Sequence, residues 1–246
     1  TEMEISYDLH IHSCLSPCGD DEMTPWNLVG MAKVLGLDAI ALTDHNTALN
    51  LPQAIAAGKE YGVAVLPGME ISSKEDVHIL GYFPSLEAAL GAGEEVYAHL
   101  PNIRNEPSLF GNQWIVGEED QTVGTLEKLL INATDLTVEA VCALVLHYGG
   151  VPVPAHINRG SNGMIGALGL MPFLPEHPVI EVYPDVECPA YATKGRFQLH
   201  SSDAHRLDAL KEPRFYLDVE EKSAQGVFQS ILHKFQGLSW EKSRDS

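Results

Sequence analysis

Two histidines near the start of the chain have the spacing of a pair of metal ligands. His10 and His12 are separated by one residue, within an alternation of apolar and polar residues that runs from Ile5 to His12. Such an alternation is typical of a short β-strand, and it places both imidazoles on one face. The pair can bind a single metal ion, since histidine is the commonest metal ligand. Two ordinary histidines at a strand end would give the same sequence pattern.

Further side chains of this type recur beside apolar runs along the chain. Each one follows, ends or lies within such a run: Asp44, His45, Glu70, His78, His156, Asp203 and His205. Surface histidines scattered in solvated loops do not follow strand ends so regularly. The recurrence therefore predicts that strands deliver a set of metal ligands to a common place.

The elements that must position these residues alternate between helix and strand. A helix is predicted to begin at a cap formed by Thr24 or Asp21, with Pro25 near its first turn, and to end at Gly36. The run Ala39–Thr43 is apolar, as in strands buried on both faces. The other predicted elements are helices over about 48–61, 86–100, 137–148 and 224–235, and strands over 63–69, 77–83, 151–155, 179–182, 197–201 and 215–217. This order favours a parallel α/β fold. Ligands at six or more strand ends favour a closed or nearly closed barrel, with a doubly wound open sheet as the alternative.

One stretch interrupts the alternation of strands and helices. Between Ser85 and Asp135 the sequence contains Pro, Gly and Asn residues and the acidic run Glu118–Asp120. We interpret residues 85–135 as an insertion within a single domain that covers residues 1–246. It is expected to be either a substrate lid over the barrel mouth or a solvated connecting segment. Residues 160–169 are rich in glycine and predict a loop, and residues 241–246 predict a frayed tail.

Composition narrows the class of protein. A chain of 246 residues, 45% of them hydrophobic, can bury a sizeable core. No apolar run reaches the roughly 18 residues that span a bilayer, and the acidic start Thr1–Glu4 has no signal-peptide pattern, so we expect a cytoplasmic protein without a membrane partner. The net charge of −19 argues against long nucleic acid as a partner. It is compatible with a small or short anionic substrate that bound cations attract.

The four cysteines are not expected to carry chemistry. Cys14 and Cys18 have a CxxxC spacing without a second pair, which disfavours a structural zinc site. A disulfide framework is not expected in a chain of this size and inferred compartment.

Taken in order, the motifs resemble those of the PHP (polymerase and histidinol phosphatase) family. The matching pieces are His10-x-His12, Asp20 placed five residues before Pro25, Thr43–Asn46, Pro67–Ile71, His78–Gly81, Ala155-His156 and Ser202–His205. They span most of the chain, and the ordered set is far more specific than the HxH pair alone. The resemblance implies a distorted (β/α)7 TIM-like barrel of the PHP type with a centre for three divalent metal ions.

The resemblance also implies which residues would bind each metal. It assigns His10, His12, Glu70 and Asp203 to the first metal, Glu70 with His78 and His156 to the second, and Asp20, His45 and His205 to the third. The loop before Asp20 departs from the family pattern through Ser16–Gly19 and Asp21, so either Asp20 or Asp21 is the third-site ligand. Asp44 is expected to orient a ligand rather than to bind a metal.

This set of imidazoles and carboxylates suits Mn²⁺, Fe²⁺ or Zn²⁺ better than Mg²⁺. A hydroxide bridging two of the metals would exist near neutral pH and could attack phosphorus in line, while a third cation offsets the charge that develops. We therefore expect a free-standing phosphoesterase that acts on a small phosphorylated metabolite or nucleotide.

Three residues are the predicted catalytic groups. Arg159, three residues beyond His156, is predicted to bind phosphate because its planar fork matches a phosphate, although pairing with a surface acid is the alternative. Asp203 and His205 complete the set. The leaving oxygen would take a proton either from Asp203 or from metal-bound water.

Two other functional classes stay open at this point. Amidohydrolase-type C–N hydrolases share HxH barrels, but they often use a bridging carboxylated lysine, whereas Glu70 holds that position here. A non-catalytic regulatory metal-binding domain is the second, and the full ligand set argues against it. Asp20 or His78 pointing away from the site would favour that second class.

Overall fold

A computed structural model of the chain describes residues 2–172 and 176–242. In chain order the strands are β1 (Met3–Ile11), β2 (Ala39–Leu42), β3 (Ala64–Ser72), β4 (His78–Tyr82), β5 (Trp114–Val116), β6 (Thr122–Thr125), β7 (Val151–Pro154), β8 (Val179–Glu181), β9 (Phe197–Leu199) and β10 (Tyr216–Val219). The α-helices are α1 (Pro25–Leu35), α2 (Leu51–Tyr61), α3 (Leu86–Ala98), α4 (Pro107–Phe110), α5 (Val138–His147), α6 (Met164–Leu168), α7 (Ala190–Thr193) and α8 (Ala224–Lys242). The predicted α/β class is confirmed.

The strands curl around a common centre. The main sheet has the order β10-β1-β2-β3-β4-β7, while β8 and β9 form a separate parallel pair. The Ile157 amide, just past β7, donates to the backbone oxygen of Glu181 on β8 at 3.0 Å. A parallel bridge between Ile11 and Ala204 then connects the segment after β9 back to β1. Seven strands thus surround the centre, and β10 pairs with the outer edge of β1.

The parallel arrangement that the sequence favours does not extend to β4. This strand pairs antiparallel with both β3 and β7. Only residues 73–77 connect β3 to β4, and a parallel crossover needs a dozen residues or more, so a hairpin is the available solution. The reversal places His78 at the beginning of β4 and keeps it at the same edge as the carboxyl ends of β1, β2 and β3.

Alternation along the strands divides the core between two faces. On β2, Ile40 and Leu42 share a hydrophobic cluster with buried residues of α1, α2, α3 and α5. Ala39 and Ala41, which point the other way, share a second cluster with Phe228 of α8. Burial on both faces explains why these strands are apolar throughout.

Helix boundaries follow the capping signals in the sequence. The Thr24 hydroxyl accepts a hydrogen bond from the Asn27 amide at the start of α1, and Gly36 ends that helix in the left-handed region at φ 84°. Thr137 caps α5 as predicted. The C-terminal helix extends to Lys242, beyond the predicted end, so the expected frayed tail is helical at residues 241–242 and otherwise lies outside the described residues. Over the described ranges, no helix combines the length and the apolar character needed to cross a membrane.

The predicted insertion is attached to the loops at the carboxyl edge of the sheet. The Trp114 amide on β5 donates to the Cys14 oxygen at 3.0 Å. Asn50 bonds the backbone of the same strand twice, through the Trp114 oxygen and the Val116 amide. These contacts hold the β5–β6 hairpin next to the loop that follows β1. Whether residues 85–135 act as a lid stays a prediction.

Candidate metal centre

The carboxylate of Glu70 lies among five imidazoles at the carboxyl edge of β3. Its Oε2 atom is 3.2 Å from His10 Nε2, 3.0 Å from His12 Nε2 and 3.4 Å from His45 Nδ1, and its Oε1 atom is 2.8 Å from His78 Nδ1 and 3.1 Å from His156 Nε2. Only 1% of the Glu70 surface is exposed. The two oxygens of one buried carboxylate therefore face two different sets of imidazoles.

In three groups of residues, the donor atoms lie close enough together to share a metal ion. Within each group the donor atoms all lie within 4.8 Å of one another, and the groups are His10, His12, Glu70 and Asp203; His45, Glu70 and His78; and His12, His45 and His205. The first group is the set predicted for the first metal. The other two groups differ from the predicted sets, because His45 joins Glu70 and His78, and His12 joins His45 and His205.

Strand ends and strained backbone bring these residues together. His45 follows β2 and forms a parallel bridge with Glu70 on β3. His156 follows β7 at φ 27°, and Asp203 follows β9 at φ 53°. Positive φ values at residues other than glycine cost on the order of 1–3 kcal/mol and persist only where the surroundings impose them. At Asp203 the preceding Ser202 amide is held by Asp8 Oδ1 at 3.1 Å.

Carboxylates and imidazoles adjust each other's ionisation in the first group. Burial alone would raise the pKa of Glu70, but the charges of His78 and His10 outweigh it and hold that pKa well below its usual range. Asp203 is likewise shifted to a lower pKa, mainly by His10 and His12 against the effect of burial. Burial would lower the pKa of His12, but its hydrogen bonds to Asp203 and Glu70 raise that pKa to about 9. The group is thus a buried array of opposite charges.

The all-imidazole group behaves in the opposite way. Burial and the neighbouring charge of His12 lower the pKa of His205 to about 4. The same two causes hold the pKa of His45 well below its ordinary value. Both side chains are therefore neutral near pH 7, the form that binds metals.

A buried polar atom in the centre lacks a partner. His156 Nδ1 forms no hydrogen bond with any residue that the structure describes. Buried polar atoms are nearly always hydrogen-bonded, so unsatisfied ones need an explanation such as an ion. A mixed set of imidazole and carboxylate donors suits divalent transition metals. The residues present therefore fit a metal centre.

Outer contacts hold His10 of β1 and His12, which follows that strand. His10 Nδ1 lies 2.9 Å from Glu181 Oε1. His12 Nδ1 lies 2.9 Å from Ser16 Oγ, which donates to Asp44 Oδ1 at 2.8 Å. Such contacts fix the ring orientation and the tautomer of a metal-binding histidine. Asp44 lies where an orienting residue was expected to lie.

The sequence reasoning gave no role to Glu181 or Ser16. Glu181 lies in the apolar run Val179–Val182 and its side chain is only 2% exposed. An acidic residue within such a run is a signal that could have identified it, because unpaired carboxylates are rarely buried. Ser16 had no comparable signal, since its role depends on the path of the loop.

Asp20 is not brought together with the other predicted ligands. Its side chain is 54% exposed and lies 3.7 Å from Arg206 Nε, and it belongs to none of the three groups found among the described residues. Asp21 does not take the place of Asp20 as a ligand, because its carboxylate accepts hydrogen bonds from Asn112 and Trp114. The placement of Asp20 is the one expected of a non-catalytic domain, whereas His78 faces Glu70 as a full site requires.

A cavity of about 290 Å³ opens beside the centre. It is lined by His45, Glu70, His78, His156, Arg159, Gly160, Ser161, Asn162, Asp203 and His205. Arg159 Nη1 is 3.3 Å from Asp203 Oδ2, and its guanidinium lies 4.0 Å from the ring centroid of Tyr183. The glycine-rich loop therefore contributes to the cavity wall as expected, whereas the lining includes no residue of the 85–135 insertion.

The PHP domain profile matches residues 8–146, which is more than half of the chain. The chain therefore belongs to the PHP domain family. The matched span carries His10, His12, His45, Glu70 and His78, while the candidate ligands from His156 onward lie beyond it.

Similar proteins include nucleases and a phosphatase. An 82-residue stretch is 38% identical to a 5′-3′ exoribonuclease of Haemophilus influenzae and covers 32% of this chain and 29% of that protein. A 90-residue stretch is 37% identical to a 3′,5′-nucleoside bisphosphate phosphatase of Chromobacterium violaceum and covers 35% and 30% of the two. The lesion-specific endonuclease PfuEndoQ of Pyrococcus furiosus superposes with a TM-score of 0.65 at 20% identity, over 96% of this chain and 56% of that chain.

These matches differ in what they establish. The matched stretches span less than a third of either curated relative. The structural similarity extends over nearly the whole chain, and at 20% identity it concerns the fold alone. It confirms the expected TIM-like barrel of the PHP type.

Proposed function

We propose that this chain is a metal-dependent phosphoesterase. The observation that carries the proposal is the Glu70 carboxylate, whose two oxygens face two sets of imidazoles beside a cavity that Arg159 also lines. The names of the relatives, an exoribonuclease and a bisphosphate phosphatase, support the same chemistry.

We propose that the centre binds three divalent metal ions. His10, His12, Glu70 and Asp203 would hold the first, and Glu70 with His78 and His156 would hold the second. His45 and His205 would hold the third, with His12 or Asp20 completing it. Ions bound there would lower the pKa of water and offset the negative charge of a phosphoryl group.

Arg159 is the proposed phosphate-binding residue. One side of its guanidinium stacks on Tyr183, and Nη1 contacts Asp203, so two contacts already hold its planar fork at the cavity wall. The side chain is 45% exposed, which leaves its other N–H groups accessible to a phosphate. A charged fork held in this way binds phosphate oxygens without a large loss of rotamer freedom.

Asp203 and His205 complete the proposed catalytic set. The lowered pKa of Asp203 keeps its carboxylate ionised near pH 7, which favours cation binding over proton donation. His205 Nδ1 lies 2.8 Å from the Asp203 backbone oxygen and can donate to it. That bond leaves His205 Nε2 unprotonated and available as a ligand.

The proposed substrate is a small phosphorylated metabolite or nucleotide. A cavity of about 290 Å³ has room for a compact phosphorylated group. The net charge of −19 disfavours a long polyanion held by a broad basic surface. The nuclease names among the relatives bring short oligonucleotide ends into the range of esters to be tested.

The test is ester hydrolysis by protein purified with Mn²⁺ and analysed for metal content. Phosphate release reports the hydrolysis of monoesters, and chromatographic separation of the nucleotide products reports the hydrolysis of cyclic nucleotides and oligonucleotides. Substrates would be histidinol phosphate, nucleoside 5′-monophosphates, 3′,5′-bisphosphates, cyclic nucleotides and short oligonucleotides, with His10→Ala as the inactive control. Arg159→Ala is expected to lower kcat/KM by about 10- to 100-fold, mainly through KM, because a hydrogen bond to a charged group contributes about 1.5–3 kcal/mol. Arg214→Ala is the matched control, since Arg214 is exposed, pairs with Asp185 and does not line the cavity. Bound metals without turnover of any ester would reject the proposal and favour C–N hydrolysis or a regulatory domain.

A further inference from the structure

One buried carboxylate outside the predicted ligand set contacts two of the predicted ligands. Glu181 Oε1 lies 2.9 Å from His10 Nδ1 and accepts a hydrogen bond of 2.9 Å from the backbone amide of His156. Its Oε2 lies 3.1 Å from the same His10 nitrogen. Glu181 is on β8, whereas His10 is on β1 and His156 follows β7, so the contacts join three strands of the barrel.

We propose that Glu181 is a positioning residue that couples the first and second metal positions. It holds the ring of His10, a ligand of the first position, and the backbone of His156, a ligand of the second. The inference rests on the metal centre of the proposed function. It adds a residue that neither binds metal nor touches substrate.

The contact with His10 determines which ring nitrogen faces the centre. An ionised carboxylate only accepts hydrogen bonds, so Nδ1 of His10 must carry the proton. Nε2 is then the ring nitrogen that faces Glu70 Oε2 and Asp203 Oδ1, each 3.2 Å away, and it is the nitrogen that would give up its proton to bind a metal ion. This is the arrangement in which a histidine can ligate a metal through Nε2.

The contact with His156 acts on the backbone. His156 has a φ of 27°, which residues other than glycine rarely adopt. Its amide is held by Glu181 Oε1, and the amide of the next residue, Ile157, is held by the Glu181 backbone oxygen at 3.0 Å. Two bonds to one residue therefore support the turn that aims His156 Nε2 at Glu70 Oε1.

The coupling follows because both contacts converge on the same oxygen. A carboxylate that moves or loses its charge changes the two contacts together. A change confined to one ligand affects only the position that the ligand serves. Loss of the Glu181 contacts is therefore expected to change two metal affinities, whereas a change at one ligand is expected to change only one.

The experiment measures the metal affinities of Glu181→Gln by equilibrium dialysis against Zn²⁺ with a competing chelator. Glutamine keeps the size of the side chain but places an N–H donor against either His10 Nδ1–H or the His156 amide. Both high-affinity constants are expected to weaken together by about 10- to 100-fold, the usual effect of losing such an outer contact. In ¹⁵N-histidine spectra of the zinc-loaded protein, the Nδ1–H signal of His10 is expected to shift or disappear.

Two variants serve as controls. His156→Asn removes the ligand ring but tolerates a positive φ, and it should weaken only the second position. Asp38→Asn removes a carboxylate that bonds the Ser6 amide and hydroxyl at the other end of β1, and it should change neither affinity nor the His10 signal. Non-additivity in the Glu181→Gln/His156→Asn double mutant measures the coupling directly.

The proposal is overturned if Glu181→Gln binds both ions at wild-type affinity with the His10 signal unchanged, or if only one affinity changes. Should Glu181→Gln fail to fold, Glu181→Asp keeps the charge with a shorter reach and carries the same two readouts and the same criteria. A wild-type protein that binds zinc but hydrolyses no ester would reject the proposed function and leave this test intact.

Discussion

Two neighbouring regions of the metal centre share His12 and differ in everything else. One is the carboxylate-centred group of His10, His12, Glu70 and Asp203, and the other is the imidazole group of His12, His45 and His205. Acids and imidazoles compensate each other's charge in the first region. Imidazoles alone meet in the second, so it can remain buried only with most of its rings neutral.

The side chains that contact the two groups from outside also differ in charge. A buried carboxylate, Glu181, contacts His10 in the first region. In the second, the neutral hydroxyl of Ser16 contacts His12 Nδ1 and accepts from the His45 amide at 3.1 Å. The comparison shows that one barrel edge can place a charged group of donor atoms beside a group whose rings are mostly neutral. The ligands of the charged position are expected to bind their ion more tightly and to contribute more to catalysis.

Glu70→Gln is expected to produce the largest effect. Glu70 takes part in two of the three donor groups, so metal content should fall to at most one ion and kcat by about 1000-fold or more. Metal analysis and phosphate release measure both. Glu75→Gln on the same hairpin is the control, since that side chain is exposed and bonds the Val138 amide. A Glu70→Gln protein that retains three ions would contradict the assignment of Glu70 as the shared ligand.

His205→Asn is expected to have a smaller effect, because His205 belongs only to the imidazole group. One ion should be lost and two retained, with kcat lower by about 100-fold. The same two assays compare this variant directly with Glu70→Gln. Equal losses in both variants would show that the two regions do not function as separate positions.

The two regions should also respond oppositely to pH in the metal-free protein. The pKa of His12 is raised from 6.5 to about 9, so its stabilising contribution is complete below pH 6.5 and is lost as pH rises through 9. The loss is on the order of 3 kcal/mol, because each pKa unit corresponds to about 1.36 kcal/mol. His205, with its pKa lowered to about 4, instead destabilises the fold as pH falls from 6.5 toward 4.

Urea unfolding in the presence of a chelator, repeated between pH 4 and 10, measures these opposing slopes. Glu70→Gln removes one of the partners that raise the pKa of His12, so the alkaline slope should flatten in that variant. An alkaline slope of wild-type size in Glu70→Gln would show that other groups cause it.

Ser16→Ala is expected to give the smallest effect. The variant removes a neutral hydroxyl, so metal affinity in the imidazole region should weaken by about 10-fold, at the lower end of the range for outer contacts. Competition with a chelator measures the change, and Ser108→Ala, which alters an exposed hydroxyl, is the control. A loss as large as that of Glu181→Gln would remove the distinction between a charged and a neutral outer contact.

Much of the centre could be predicted because its ligands lie next to strands. A buried strand needs an apolar run, and the residue that ends the run at the carboxyl edge is placed by the strand itself. This is why Glu70, His156 and Asp203 were found from the sequence and lie together in the structure. The capping residues Thr24 and Thr137 were predictable for a similar reason, because a cap acts within three residues of its helix.

The features that could not be predicted depend on residues far apart in the chain. Asp20 was placed by its spacing to Pro25, but the loop turns its side chain toward Arg206 and away from the three groups of donor atoms. Glu181 reaches His10 across 171 positions, and no local pattern encodes that contact.

The sequence by itself determined the α/β class and the strand ends that carry the candidate ligands, because these properties depend on residue type and short-range periodicity. Only the tertiary structure decided the reversal of β4, the grouping of the donors around Glu70 and the outer contacts of Glu181 and Ser16. These features arise when the sheet curls and closes, which brings side chains from separate strands to distances of 2.9–3.2 Å from one another.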